Sequence, residues 1–327
     1  MKNKVILITG CAGYIGSVMS RFFIENGYNV YGVDSLVYGD KGIEEIMDHP
    51  NFIFRKEDVR NIEGFEDILQ KVEGVVHLAA ISGMPCCKKH PELAKEINYL
   101  ATANLYDRCN EVENIKRFVF ASTTSIFGAT ENGQIVNEDS DPMPISLYSE
   151  TKLDCETHFI NKETREDFTT AMFRFPTAFG VSPRMRFDLT INEFVRDVYL
   201  GKELEIFGEE FWRPYCHVLD ISKGCKLGLE ADAKLIDKRV LCLGEDKMNL
   251  TKRMIYEALF DAFPNGKLSI VPKISDSRDY KVSFSRIGEL DYQIDYDLNR
   301  GVEEISSAIE AGKFQDPFSS EYSAIFK

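Results

Sequence analysis

Short apolar runs alternate with longer amphipathic stretches through the first half of the chain. Apolar runs predict strands at residues 5–8, 28–33, 52–54, 75–78, 117–121 and 169–173. The stretches between them have the spacing of amphipathic helices, predicted at 13–26, 62–71, 91–110 and 148–164. Strands that are apolar throughout and joined by helices form a parallel sheet covered on both faces.

The second half of the chain is less regular. Its pattern predicts a helix at 189–200, short strands at 204–207 and 240–243, and later helices at 251–262 and 301–312. In a doubly wound sheet, ligands bind at the carboxyl ends of the strands. The residues that follow each predicted strand of the first half are therefore the first candidates for a functional site.

A glycine-rich turn follows the first predicted strand. Gly10, Gly13 and Gly16 stand between that strand and the first predicted helix, with Tyr14 and Ile15 between the last two glycines. Glycine lets backbone amides approach a pyrophosphate that a Cβ would obstruct, and a helix N-terminus offers it unpaired N–H groups and a partial positive charge. The spacing differs from G-x-G-x-x-G, but strand, turn and helix together predict dinucleotide binding.

The second predicted strand is followed by an acid, Asp34. A carboxylate at this point can hold both hydroxyls of an adenosine ribose. It would repel a 2′-phosphate, and the next two residues, Ser35 and Leu36, offer no arginine to receive one. The sequence therefore favours NAD over NADP as the cofactor.

These features predict an α/β protein with a Rossmann-like, doubly wound parallel sheet and a smaller C-terminal α/β region. We expect residues 1–175 to form the NAD-binding domain and residues 176–327 to form the substrate-binding region. The two are expected to interleave, with part of 213–243 returning to the first domain. No linker-like stretch separates the halves, so a cleft between them is expected.

Composition narrows the class of protein. The 327 residues carry a formal net charge of −14, which argues against a nucleic-acid-binding surface. No apolar run has the length needed to span a bilayer, and the first residues lead into a strand without a secretory signal. The 8 cysteines lack metal-type C-x-x-C spacing and suit a reducing compartment. We expect a cytoplasmic protein without a bound metal, a nucleic acid or a membrane partner.

The predicted helix at 148–164 contains a tyrosine and a lysine four residues apart. Tyr148 and Lys152 share one face of this predicted helix. An ammonium close to a phenol favours the phenolate and lowers its pKa from an ordinary value of about 10. Tyr148 is then a candidate general base for a hydroxyl whose carbon loses a hydride. Thr123, just after the fifth strand, is a candidate to hold the substrate oxygen.

These motifs resemble those of the extended short-chain dehydrogenase/reductase family, the NAD-dependent epimerases and dehydratases of nucleotide sugars. The resemblance covers essentially the whole chain and includes His77-Leu78-Ala79-Ala80, Trp212-Arg213-Pro214 and Asp276-Ser277-Arg278. It implies that Thr123, Tyr148 and Lys152 are the catalytic set. It also implies a set of NAD contacts, comprising Gly10, Gly13, Tyr14, Ile15, Gly16, Asp34, Asp58, Val59, Leu78, Ala79, Ala80, Tyr148 and Lys152.

The resemblance further implies a nucleotide-diphosphate sugar as the substrate. Guanidinium groups suit a diphosphate because they donate two parallel hydrogen bonds, and Arg213 and Arg278 are the candidates for this contact. Arg184 adds a cation near the same cleft. Thr124 and Thr177 complete the predicted substrate contacts, Thr177 standing where many members carry a substrate-contacting asparagine.

Departures from the family pattern narrow the reaction. Nucleotide-sugar 4,6-dehydratases usually follow the catalytic Thr with Asp-Glu, the acid and base of water elimination, whereas this chain has Thr124 and Ser125. Dehydration is therefore not expected, and oxidation at C4 of the sugar is. The reaction is then a 4-epimerisation, a C4 dehydrogenation or, in reverse, a 4-ketoreduction. Segments 84–98 and 182–192 are similar to a branch that oxidises C4 of GDP-linked sugars.

Two further expectations concern the type of protein and its assembly. A non-catalytic NAD-binding sensor or scaffold on the same fold is the alternative to an enzyme, although it has no need of Thr123, Tyr148 and Lys152 together. The predicted helices 91–110 and 148–164 carry apolar residues beyond one stripe. Family members commonly pair these helices across a two-fold axis, so the expected partner is a second copy in a homodimer.

Overall fold

Strands and helices alternate along the computed structural model, which describes residues 4–128, 130, 134–271 and 279–324. The strands are β1 (Val5–Thr9), β2 (Asn29–Asp34), β3 (Phe52–Lys56), β4 (Gly74–His77), β5 (Arg117–Thr123), β6 (Ile135–Val136), β7 (Thr169–Phe175), β8 (Thr177–Phe179), β9 (Leu204–Phe207), β10 (Trp212–His217), β11 (Arg239–Cys242), β12 (Asn249–Thr251), β13 (Leu268–Val271) and β14 (Lys281–Val282). The helices are α1 (Tyr14–Glu25), α2 (Glu66–Leu69), α3 (Met84–Lys89), α4 (Pro91–Lys95), α5 (Thr102–Glu111), α6 (Leu147–Asn161), α7 (Thr190–Tyr199), α8 (Val218–Glu230), α9 (Ala233–Ile236), α10 (Lys252–Ala262), α11 (Ser285–Gly288) and α12 (Leu298–Glu310). A π-helical turn, Glu96–Ala101, joins α4 to α5.

Seven of these strands form one parallel sheet in the order β11-β7-β5-β4-β1-β2-β3. The chain begins in the middle at β1, moves out to β3, and then crosses to β4 on the other side of β1. The order therefore reverses between β1 and β4, and a crevice opens there at the carboxyl ends of the strands. The predicted Rossmann-like, doubly wound α/β fold is confirmed.

Helices cover both faces of the central sheet. Ile6 and Ile8 of β1 are buried in one core cluster with Phe23 of α1. Leu7, between them, points to the opposite face and is buried in a second cluster with Tyr106 of α5. Successive side chains of a strand alternate between faces, so most positions of a strand that is buried on both sides are apolar. This is why β1 forms an uninterrupted apolar run in the sequence.

The chain after β7 forms smaller sheets and also returns to the central one. The smaller sheets have the orders β12-β10-β8, β13-β9 and β14-β6. Strand β11 pairs in parallel with β7 and forms the edge of the central sheet. The crossing from β7 to β11 passes through β8, α7, β9, β10, α8 and α9, so the second half of the chain is tied to the first at this edge.

Some elements differ from the sequence-based expectation. The predicted helix at 62–71 is a short 3-10 turn, Ile62–Phe65, followed by the four residues of α2. Gly64 lies within this segment, and glycine destabilises a helix interior. Helix α3 was not predicted; it follows Gly83, whose φ is +87°, and has Pro85 in its first turn. A proline there preorganises a helix start without losing a needed hydrogen bond.

Candidate functional site

A cleft of about 410 Å³ lies at the carboxyl ends of the central strands. It is lined by the turn after β1, the ends of β2 to β5, the start of α6 and the segment after β7. All the predicted catalytic and cofactor residues line this cleft, as do two of the predicted substrate residues, Thr177 and Arg184. The structure thus brings together positions that lie far apart in the sequence.

The glycine turn has a geometry that other residues would not allow. Gly10 has a φ of +72°, and a Cβ there would lie 2.9 Å from the backbone nitrogen of Ala79. A Cβ on Gly16 would lie 2.0 Å from the carbonyl oxygen of Gly10. Helix α1 begins at Tyr14 after Gly13, and no side chain caps its N-terminus. The N–H groups of the first turn therefore face the cleft without a competing side chain, which fits a pyrophosphate.

Asp34 is held in place by two backbone N–H groups. Its Oδ2 accepts a hydrogen bond from the Ala12 nitrogen at 3.0 Å, and its Oδ1 accepts one from the Leu36 nitrogen at 2.8 Å. Burial raises the pKa of this carboxyl, while the two backbone bonds act in the opposite direction. Each carboxylate oxygen can accept more than one hydrogen bond, so both oxygens retain capacity for ribose hydroxyls.

Helix α6 presents the predicted catalytic tyrosine and lysine to the cleft. Its start is fixed by a capping box in which Ser146 and Ser149 exchange hydrogen bonds of 3.2 Å between side chain and backbone. Tyr148, in the first turn, is half-buried, and Lys152, one turn later, is buried with its Nζ 4.6 Å from the ring centroid of Phe120. The helix cap thus sets the direction in which Tyr148 enters the cleft.

Burial controls the ionisation of both residues. Loss of hydration raises the pKa of Tyr148 to about 12 and lowers the pKa of Lys152 to about 8. The expectation that Lys152 lowers the pKa of Tyr148 is wrong for this arrangement, because the Lys152 Nζ lies 6.0 Å from the Tyr148 ring centroid and desolvation dominates. The positive charge of Arg186 acts in the opposite direction and favours the phenolate.

Thr123 ends β5 and its side chain caps the following 3-10 turn, accepting a hydrogen bond from the Ser125 nitrogen at 3.1 Å. Thr123 and Ser125 line the cleft. Thr124 between them is turned into the interior, where its hydroxyl lies 3.2 Å from the Tyr280 hydroxyl. The turn therefore separates Thr124 from the predicted substrate contacts, and Ser125, which carries no motif of its own, takes its place in the lining.

Of the two arginines predicted to bind a diphosphate, the structure describes only Arg213. Arg213 lies on β10, in the separate three-stranded sheet, and its Nη1 donates to the Trp212 carbonyl oxygen at 3.2 Å. Within the described ranges, the cleft lining does not include Arg213. Arg278 lies outside the described residues, so its contact with a diphosphate stays a prediction. The cleft lining instead includes Arg186, whose Nε and Nη2 donate to the Asp188 carboxylate at 2.9 and 2.7 Å.

A hydrogen-bonded histidine lies directly behind the cleft. His77 is fully buried, with its Nδ1 2.8 Å from the Thr9 hydroxyl and its Nε2 2.9 Å from the Thr102 hydroxyl. Thr102 donates to the Ile97 carbonyl, and Thr9 accepts from the Ala79 nitrogen, both at 3.3 Å. These directions place the ring proton on Nε2. Burial lowers the pKa of His77 to about 3, so the ring is neutral, and it joins β1, β4 and the start of α5.

Asn98 fixes the loop that follows β4. Its side chain is fully buried, donates to the Ile81 carbonyl at 3.0 Å and accepts from the Ile81 nitrogen at 2.8 Å. Both backbone groups of Ile81 are satisfied in this way, and Ala79, Ala80 and Ile81 line the cleft. Asn98 is not among the predicted site residues. Its contacts depend on how the π-helical turn packs on the loop, which spacing alone does not reveal.

Among the residues that the structure describes, no group of three or more His, Cys, Asp or Glu side chains is placed to hold a metal ion. No described helix is both long and apolar enough for a bilayer crossing.

The sequence matches the model of the NAD dependent epimerase/dehydratase family over residues 6–244. UDP-glucuronate 4-epimerase of Thermodesulfobacterium geofontis is 28% identical over 262 residues, which cover 77% of this chain and 79% of that protein. UDP-glucose 4-epimerase of Halalkalibacterium halodurans is 30% identical over 243 residues, 69% of this chain and 70% of that one.

Solved structures share the fold. UDP-glucose 4-epimerase of Thermotoga maritima, with UDP-glucose, has a TM-score of 0.81 at 24% identity, over 95% of this chain and 100% of that chain. UDP-glucuronic acid 4-epimerase of Bacillus cereus, in complex with UDP-glucuronic acid and NAD, has a TM-score of 0.80 at 24% identity, over 94% and 99%.

Proposed function

This chain belongs to the NAD dependent epimerase/dehydratase family, and on that basis we propose that it is an NAD-dependent oxidoreductase/epimerase acting at C4 of a nucleotide-diphosphate sugar. The observation that carries the proposal is the meeting of Thr123, Tyr148 and Lys152 in the cleft that contains the glycine turn. A protein that only bound a dinucleotide would need the turn but not these three side chains.

The residues of the cleft suit NAD along its whole length. The glycine turn and the N-terminus of α1 would hold the pyrophosphate, and Asp34 would hold the adenosine ribose. Asp58 and Val59, after β3, would lie beside the adenine, and Leu78, Ala79 and Ala80, after β4, would lie along the rest of the cofactor. When bound, NAD supplies the acceptor for a hydride from C4 of the sugar.

The catalytic roles follow from the chemistry of the three side chains. Tyr148 removes the proton of the sugar 4-hydroxyl as general base, and Thr123 orients the reacting oxygen. Lys152 remains mostly protonated at pH 7, since its pKa is about 8. Its three N–H donors can then hydrogen-bond the nicotinamide ribose. The positive charge of Arg186, which also lines the cleft, favours the Tyr148 phenolate.

The carboxylates of the cleft argue against water elimination. Within the described part of the lining they are Asp34, which ends β2, and Glu57 and Asp58, which follow β3, all at the proposed adenosine end. The positions after Thr123 carry hydroxyls, which lack the acid–base strength that elimination needs. The product is therefore the 4-epimer if the 4-keto sugar is reduced in place, or the free 4-keto sugar if it leaves first. A 4-ketoreductase and a non-catalytic NAD-binding sensor are the other candidates.

Turnover of nucleotide sugars tests the proposal. The purified protein is incubated with UDP-glucose, UDP-glucuronate and a GDP-linked sugar, with NADH absorbance and product stereochemistry followed together. We expect conversion of at least one sugar, its loss in Tyr148→Phe, and its retention in Tyr31→Phe, a tyrosine outside the cleft. Full activity of Tyr148→Phe would refute the catalytic assignment, and tight NAD binding without any turnover would favour the sensor.

We also propose that the enzyme is a homodimer. The π-helical turn and α6 expose Leu100 and Ile160, which are 52% and 48% accessible, and their neighbours Tyr99 and Asn161 line a shallow groove. Burial of these side chains against a second copy would remove apolar surface from water. Light scattering should give twice the chain mass for the protein and a single-chain mass for Leu100→Glu/Ile160→Glu. A control variant, Leu235→Glu, should remain dimeric; a monomeric wild type contradicts the proposal.

A cytoplasmic location completes the proposal. All eight cysteines are free, and seven of them are buried, as expected where thiols stay reduced. Cell fractionation with detection of the protein by antibody measures the location directly, and recovery from an extracytoplasmic fraction would contradict it.

A further inference from the structure

Arg184 is a buried cation that lines the cleft. Its side chain is 7% exposed, and its Nη1 and Nη2 donate to the carbonyl oxygens of Met185 at 2.8 Å and Ser323 at 2.9 Å. Its guanidinium carbon lies 4.9 Å from the ring centroid of Tyr38. These contacts fix the position of the guanidinium, but carbonyls and a ring do not neutralise its charge.

The nearby carboxylates are engaged elsewhere. Asp188 forms an ion pair with Arg186 at 2.7 Å, and Glu321 forms one with Lys41 at 3.0 Å. Arg186 adds a second positive charge, which together with burial lowers the pKa of Arg184. A buried charge without a counterion is unfavourable. An anion that reaches this part of the cleft would therefore gain more binding free energy from Arg184 than it would from an arginine on the surface.

The position of Arg184 indicates which anion that is. The hydroxyl of Ser182 donates to the Tyr14 carbonyl at 2.7 Å and lies 2.9 Å from the Ser17 hydroxyl, so the loop is fastened to the first turn of α1. The backbone nitrogen of Arg184 donates to the same Ser182 oxygen at 3.2 Å. Tyr38, against which Arg184 packs, belongs to the loop after β2. Arg184 thus lies beside the helix N-terminus, toward the end of the cleft that contains Asp34.

We propose that Arg184 binds the pyrophosphate of the dinucleotide and forms, with the N-terminus of α1, a two-sided site for that anion. The inference rests on the proposed function, since it assigns one more residue to the NAD site. It replaces the expected contact between Arg184 and the substrate. The segment near residue 323 contributes by holding the guanidinium: the Ser323 carbonyl binds Arg184, and the Ala324 nitrogen donates to Asp188 at 3.2 Å.

A diphosphate of the sugar nucleotide would offer the same chemistry, so the experiment separates the two sources. Calorimetric titrations of the full chain with adenosine, ADP, uridine and UDP are carried out for the wild type and for Arg184→Gln. We expect the affinity for ADP to fall about tenfold, as for loss of a charge-assisted hydrogen bond, with the affinity for adenosine unchanged. The affinities for UDP and uridine should also be unchanged.

Arg300→Gln is the matched control. Arg300 also packs on a tyrosine, with its guanidinium carbon 3.9 Å from the ring centroid of Tyr296, and its Nη1 donates to the Asp295 carbonyl at 2.7 Å. It is exposed and outside the described lining of the cleft. Its replacement should leave all four affinities unchanged. Arg184→Lys, which keeps the charge, should retain most of the ADP affinity and provides the test if Arg184→Gln does not fold.

The outcomes are distinct. An unchanged ADP affinity in Arg184→Gln overturns the inference, as does a loss confined to UDP, which would assign Arg184 to the substrate. An equal loss for adenosine and ADP also overturns it, because the role would then be structural. If the wild type binds neither ADP nor NADH, the proposed function itself fails.

Discussion

The buried ion pair between Glu156 and Arg174 gives the sharpest test of how this site is supported. Glu156, one turn after Lys152, is 2% exposed, and Arg174 of β7 is 4% exposed. Arg174 donates to the two carboxylate oxygens, from Nε at 3.1 Å and from Nη2 at 2.8 Å. The Ser122 hydroxyl donates to the same carboxylate at 2.5 Å. One charge pair thus joins α6, β5 and β7 behind the proposed catalytic residues.

Glu156→Gln removes the negative charge and keeps the shape. It leaves a buried guanidinium without a counterion, and breaking a buried pair in this way destabilises a protein by about 3–5 kcal/mol. The glutamine oxygen still accepts one hydrogen bond from Arg174. Its NH2 group is itself a donor and cannot pair with the other donors that the carboxylate accepted from. We therefore expect the free energy of unfolding to fall by about 3 kcal/mol, at the lower end of that range.

Urea unfolding followed by circular dichroism measures this change through the midpoint and slope of the transition. Glu150→Gln, an exposed position on the same helix, is the control and should change stability by less than about 0.5 kcal/mol. Replacement of both members, Glu156→Gln/Arg174→Met, should recover part of the loss, because the unpaired charge is gone. A loss below about 1 kcal/mol in Glu156→Gln would show that the pair is solvated or relaxes, and would refute the reasoning.

Three further predictions use the same structure. The pKa of Lys152 is about 8 in the folded protein and 10.5 ordinarily, so between these pH values the unfolded chain binds more protons than the folded one. The free energy of unfolding should therefore rise by up to about 3 kcal/mol from pH 8 to pH 10.5. Urea titrations of Lys152→Met should lack this rise. Gly16→Ala places a Cβ 2.0 Å from a main-chain oxygen of the turn and should weaken NADH binding at least about tenfold by fluorescence titration, whereas Gly288→Ala, with open space around it, should not. Asn98→Ala leaves the Ile81 nitrogen unpaired and its carbonyl oxygen with only the weak Cys87 thiol donor at 3.3 Å. It should lower the free energy of unfolding by about 2 kcal/mol in the same urea assay, and an unchanged midpoint would contradict it.

The dinucleotide end of the site was predictable because its determinants are local. The turn at Gly10, the start of α1 and the acid at Asp34 follow one another within a single strand–helix–strand unit, so the order of residue types carries the geometry. The parallel sheet was predictable for a related reason, since strands buried on both faces form nearly continuous apolar runs in the sequence. Because the carboxyl ends of parallel strands meet at one edge of the sheet, the residues at these ends line one cleft.

The other parts of the site depend on packing between segments far apart in the sequence. The spacing of Tyr148 and Lys152 predicts a shared helical face, but the effect of burial on their pKa values needs the surroundings. The rotation of Thr124 into the core follows from the 3-10 turn after β5, which the strand pattern does not contain. The role proposed for Arg184 depends on its hydrogen bond to the Ser323 carbonyl, which is far along the chain.

The late return of β11 to the central sheet has a consequence for how the protein is made. Strand β7 is buried at every position, and β11 covers one of its two edges. Until β11 has been synthesised and docked, β7 would present unpaired N–H and C=O groups along a strand with the apolar centre Ala171–Phe173, the arrangement that recruits other chains. A fragment ending near residue 175 would keep the complete glycine turn and yet be prone to self-association. The first half of this chain therefore contains the proposed NAD contacts but depends on the second half to avoid aggregation.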